Sequence, residues 1–79
     1  MQKTTEYVIK IGNGFLGDNN TLTAGEPKIF IGDISPAYVT IREYEKIIRT
    51  DPPKAMTVEI IRHYGLDSQK VVDKVLINN

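Results

Sequence analysis

The sequence predicts a small α+β domain: an antiparallel sheet of three to four strands with one helix, about residues 41–49, packed on one face. Tyr7, Ile9 and Ile11 alternate with Val8 and Lys10 and run into Asn13-Gly14, which reads as an N-terminal β-hairpin. Met56, Val58 and Ile60 alternate with Thr57 and Glu59, which reads as a second long strand. Between these strands Ile41, Tyr44, Ile47 and Ile48 recur at helical spacing.

With Asn13-Gly14 as the two turn residues, Gly12 sits opposite Phe15 and Ile11 opposite Leu16. Ile11 and Leu16 then share one face, so turn chemistry and hydrophobic pattern agree. Gly17 to Thr21 and Thr23 to Pro27 form a polar, turn-rich connection, and Lys28-Ile29-Phe30-Ile31 is the best short strand near it.

The helix has two candidate starts. Ser35 with Pro36 could supply the cap and first turn, which puts Ala37, Ile41, Tyr44 and Ile48 on one face. Thr40 with Glu43 could instead form a capping box. The second start is preferred, because Val39, Thr40 and Ile41 are three β-branched residues in a row. Asp51-Pro52-Pro53 stops the helix, since proline has no amide to donate and disfavours helix in the residue before it. The following strand runs from Met56 to Tyr64, with Met56, Val58, Ile60, Arg62 and Tyr64 toward the helix. Gly65-Leu66-Asp67 breaks it. Residues 68–77 fit a short helix burying Val72, Val75 and Leu76, or a returning strand through Val71, Val75 and Ile77; the short helix is favoured.

At 79 residues the chain is long enough for a single domain, 1–79, of modest stability. It has no cysteine, which removes disulfide scaffolds, thiol nucleophiles and cysteine-based zinc sites. Ten basic and ten acidic side chains cancel, which argues against strong non-specific attraction to DNA or to an anionic membrane. The polar start and the lack of a long apolar run lead to the expectation of a cytoplasmic protein without a membrane partner.

The motifs that could carry chemistry have simpler readings. Gly12-x-Gly14-x-x-Gly17 matches a dinucleotide-binding pattern, but those glycines must open a helix, and Asp18-Asn19-Asn20-Thr21 reads as loop. His63 is the only histidine, with Glu59 and Ile61 its nearest neighbours on the predicted strand face, which is poor support for a general base. Asp18-Asn19-Asn20 lacks the remaining ligand positions of a calcium loop. No cofactor, metal or catalytic residue is expected, and enzyme is the least favoured class. Four tyrosines in so short a chain are many, and tyrosine suits contact surfaces where the ring packs and the hydroxyl stays wet. The candidate interaction surface is Tyr38, Tyr64, Lys46, Arg49, Arg62 and His63. It suits a non-catalytic protein-interaction module, with a homodimer through a sheet edge as one form of it. The alternative is nucleic-acid binding, which needs Lys46, Arg49, Lys54 and Arg62 to gather on one face near stacking tyrosines.

Tyr7-Val8-Ile9-Lys10 followed by Gly14-Phe15-Leu16, the run Asp33-x-Ser35-x-Ala37-Tyr38-Val39-Thr40, and the strand Met56 to Ile61 together resemble small uncharacterised proteins from phages and prophages of Gram-positive bacteria. The resemblance implies a compact hairpin, helix and strand domain encoded among accessory genes; for the interaction-module reading the expected partner is a host or phage protein. It implies no activity and no site residues.

Overall fold

The computed structural model describes residues 5–18, 21–47 and 55–78. They form an α+β fold with one helix and a six-stranded antiparallel sheet. The strands are β1 (Glu6–Ile11), β2 (Gly14–Leu16), β3 (Leu22–Thr23), β4 (Phe30–Ile31), β5 (Ala55–Arg62) and β6 (Lys70–Asn78); the helix α1 is Ser35–Ile47. Neighbours across the sheet run β3-β2-β1-β5-β6. β4 lies on the β2 side of β1, beside Glu6 and Tyr7, while β2 lies beside Lys10 and Ile11. Two short strands thus share one edge of β1.

Alternation along β1 and β5 divides the apolar residues between two faces. Ile9 pairs with Ile60 and Ile11 with Val58, and these join Leu16, Phe30 and Ile77 beneath Ala37, Ile41 and Tyr44 of α1. Ile9, Ile60, Val58 and Ile77 are completely buried. Each such side chain contributes about 1.5–3 kcal/mol of transfer free energy. Val8 and Ile61, paired with each other, are also buried, but on the opposite face and outside that cluster.

The sheet has six strands where three to four were expected, and the C-terminal segment is a strand, β6, rather than a short helix. Val75 and Ile77 pair with Val58 and Met56 over the core, which a helix at 68–77 could not do. A bulge between Ile60 and Ile61 inserts Val72, so Val71 falls on the face opposite to Val75 and Ile77.

The helix starts at Ser35, six residues before the expected 41. Asp33 Oδ1 accepts the Ser35 amide at 2.9 Å and so caps the first turn. Thr40 is inside the helix, where its hydroxyl donates to the Pro36 carbonyl at 2.9 Å, so it makes no capping box with Glu43. The β-branched run is accommodated because Ala37, Ile41 and Tyr44 gain the core face. Ile47, expected to face the sheet, is 61% exposed. Residues 48–54, including Ile48, the expected helix end at Arg49 and the Asp51-Pro52-Pro53 stop, lie outside the described residues.

The hairpin is present with its register moved. Ile11 pairs with Gly14 and Lys10 with Phe15, so Gly12 and Asn13 are the turn residues. Gly12 has φ +59°, while neither Asn13 nor Gly14 has positive φ. Glycine at the first central position is the type II′ pattern, where a type I′ turn would need positive φ twice. Both registers leave Ile11 and Leu16 on one face, which is why the hydrophobic pattern could not distinguish them. β5 ends at Arg62, so Tyr64 leaves the expected helix-facing row. His63 follows with φ +53°, the one non-glycine in the left-handed region among the described residues. Tyr64 then packs its ring on Phe15, 4.8 Å away on the face remote from α1.

Candidate functional site

Of the six residues singled out from the sequence, the five that lie among the described residues are not gathered into one patch. Tyr38 is half-buried on α1 and donates to Asp73 Oδ2 of β6 at 2.5 Å. That hydrogen bond, with burial and the nearby charge of Asp73, holds its phenol above the ordinary tyrosine range. Arg62 ends β5 with Tyr7 and Lys70 as its cross-strand neighbours, and its Nε is enclosed without a hydrogen-bond partner among the described residues. His63 is in the following turn, its Nδ1 2.9 Å from Ser68 Oγ and its Nε2 enclosed without a partner among the described residues. Tyr64 is on the other face, against Phe15. Lys46 is exposed in the last described turn of α1, and Arg49 and Lys54 lie outside the described residues. Among the described residues no three His, Cys, Asp or Glu side chains come together to hold a metal ion. No described helix is long and apolar enough to cross a membrane.

A different feature stands out between β4 and α1. An open groove of about 640 Å³ has Lys28, Ile29, Phe30 and Ile31 along one wall and Pro36, Val39, Thr40 and Glu43 along the other, with Asp33 where strand passes to helix. The helix wall follows from the sequence once α1 starts at Ser35: positions 36, 39, 40 and 43 are one stripe at helical spacing. Beside this stripe, Ala37, Ile41 and Tyr44 point into the core. Both walls are apolar and open, with Ile29 51% and Ile31 65% exposed on the strand side and Val39 57% exposed on the helix side.

The backbone of the strand wall is also open. Lys28 donates its amide to the Leu16 carbonyl at 3.0 Å, Gly32 donates to the Thr5 carbonyl at 2.7 Å, and Phe30 pairs with Tyr7 between them. Residues 28, 30 and 32 therefore turn their amides toward the sheet, and by alternation residues 29 and 31 turn theirs away. The Ile31 carbonyl accepts from the Asp33 amide at 3.2 Å, which ends the strand. The Ile29 amide, the Ile29 carbonyl and the Ile31 amide point outward without a partner among the described residues.

Other edges are treated differently. Among the described residues β6 has only β5 beside it, but this edge strand carries Lys70, Asp73 and Lys74 together with the bulge, devices that discourage another strand from adding. The β3 edge is two residues long. The stretch 28–31 has Lys28 at one end, its ammonium 5.2 Å from the centre of the Phe30 ring, and no charge at Ile29, Phe30 or Ile31.

No direct sign of this groove is present in the sequence. Its walls are two elements whose edges were placed differently, and Pro36 and Val39 fall outside a helix that starts at 41. Ser35-Pro36 followed by the apolar Val39 is the one local signal, and it points to the groove only with a helix that starts at Ser35. Comparison with known proteins found no matching family model, no matching curated protein and no matching solved structure.

Proposed function

We propose that this domain is a non-catalytic protein-interaction module whose contact surface is the groove between β4 and α1. One observation carries the reading: an uncharged strand edge with outward backbone groups lies across an open groove from the exposed stripe Pro36-Val39-Thr40-Glu43. Exposed isoleucine and valine side chains on both walls offer burial on binding, and the polar rim of Lys28, Asp33 and Glu43 limits what can enter. In this reading the partner is a host protein, and the domain acts as a prophage accessory factor that modulates it.

The test uses a random-peptide display library panned on the folded domain. Affinities of the selected peptides are then measured on wild-type protein and on Val39→Asp, an exposed position whose substitution should spare the core. A loss of roughly tenfold or more is expected, as for a central contact residue. Peptides that bind both proteins equally would overturn the assignment. So would binding of a single-stranded oligonucleotide that weakens with salt and ignores Val39→Asp, which would favour the nucleic-acid alternative.

A further inference from the structure

We infer that the occupant of the groove is an extended segment of another protein that joins the sheet as a strand beside β4, and that this segment carries a Lys or Arg. The inference rests on the groove being the contact surface and says what kind of chain fills it.

The backbone argues for a strand. The Ile29 and Ile31 amides point outward two residues apart, with the Ile29 carbonyl between them. Two residues of extended chain span about 6.8 Å, the repeat at which another strand presents its own outward groups. A bound helix has its interior amides and carbonyls already paired, so it would cover these three groups and satisfy none. Strand addition satisfies all three.

The side chains specify the rest. Phe30 faces the α1 side of the sheet, because it pairs with Tyr7 and joins the core beneath the helix. A residue of the added strand opposite Phe30 points to that same side, toward Pro36 and Val39, and an aliphatic side chain suits this position. Its neighbours on either side point the other way, beside exposed Ile29 and Ile31. The rim holds two carboxylates, Asp33 and Glu43, against one ammonium, that of Lys28 over the Phe30 ring. Asp33 is engaged at the helix start, whereas Glu43 has no ion pair among the described residues. A cationic residue two positions from the aliphatic one lies on the helix side, where it can meet Glu43.

The experiment takes a peptide selected as above and measures its affinity for wild-type protein and for Ile31→Pro, Ile29→Pro, Val39→Asp and Glu43→Gln. Proline is tolerated on an edge strand where its missing amide faces outward, so either proline variant should retain the fold, checked by far-UV circular dichroism. Each should weaken binding roughly tenfold, the effect of a lost hydrogen bond at a covered site. N-methylation along the peptide should weaken binding at alternate residues only. Glu43→Gln should reduce affinity and its dependence on salt. If folded Ile31→Pro and Ile29→Pro bind as wild type while Val39→Asp does not, the groove is a docking site for something other than a strand; this inference falls and the proposed function stands. If none of the variants changes binding, both fall.

Discussion

Val8 lies directly opposite Ile61 on the face of the sheet that α1 does not cover, and both are 3% exposed. Glu6, Pro27, Ile29 and Tyr64 surround Val8 there, with Phe15 against the Tyr64 ring. The sheet therefore buries apolar residues on both faces, with the helix over one and Pro27, Ile29 and Tyr64 over part of the other. Ile29 belongs to this second cluster and to the groove wall, which ties the position of β4 to the packing behind it.

Ile61→Ala should destabilise the domain by about 2–4 kcal/mol, the usual range for truncating a buried isoleucine. Leu76→Ala, on the same face but 61% exposed, should change stability by less than about 0.5 kcal/mol. Urea denaturation of the two variants measures the difference. Equal effects would mean that the second face is not a packed surface.

The turn can be tested by its glycine. Gly12→Ala should cost about 1–2 kcal/mol because position 12 requires φ +59°. Asn13→Ala should cost much less, since Asn13 is not at positive φ. Thermal or urea unfolding of both separates this turn from the one centred on Asn13-Gly14, in which Asn13 would be the sensitive position.

Asp33→Ala should destabilise by about 1 kcal/mol through loss of the hydrogen bond to the Ser35 amide, and Asp33→Asn by less. Thr40→Ala should be nearly neutral, since its hydroxyl returns to a carbonyl already inside the helix. A large loss at Thr40 with none at Asp33 would move the helix start back toward 40.

Tyr38 and Tyr44 give the fold a limit on the alkaline side. Both phenols are raised in the folded state, Tyr38 chiefly by its hydrogen bond to Asp73 and Tyr44 by burial. The unfolded chain then loses these protons more readily, so their contribution is complete below about pH 10 and disappears as pH rises through the folded values. Stability should be insensitive to these groups below pH 10 and fall above it. Tyr38→Phe should make that fall shallower, as followed by unfolding measurements against pH and by tyrosinate absorbance.

What could be read from the chain was set by how locally each feature is encoded. The alternation in Tyr7–Ile11 and in Met56–Ile60 needs only neighbouring residues, and β1 and β5 lie where it indicates. Ile41 and Tyr44 face the core as their spacing implies. The helix start was decided by Asp33, which has no capping-box partner three residues on, and by burial of Ala37, a tertiary effect. β6 was ambiguous because its bulge at Val72 breaks the alternation that would have marked a strand. The groove was hidden for a related reason. It needs β4 pinned to β1 and the stripe at 36, 39, 40 and 43 to exist as a helix face, and neither condition can be read from 28–43 alone.

Amide hydrogen exchange, resolved residue by residue, tests the central claim most directly. In the free domain the amides of Lys28, Phe30 and Gly32 should be protected, and those of Ile29 and Ile31 should exchange close to the rate of an open chain. Saturation with a selected peptide should slow Ile29 and Ile31 and leave the other three as they were. Protection of Ile29 and Ile31 in the free domain, or no change there on binding, would show that β4 presents no open edge to a partner.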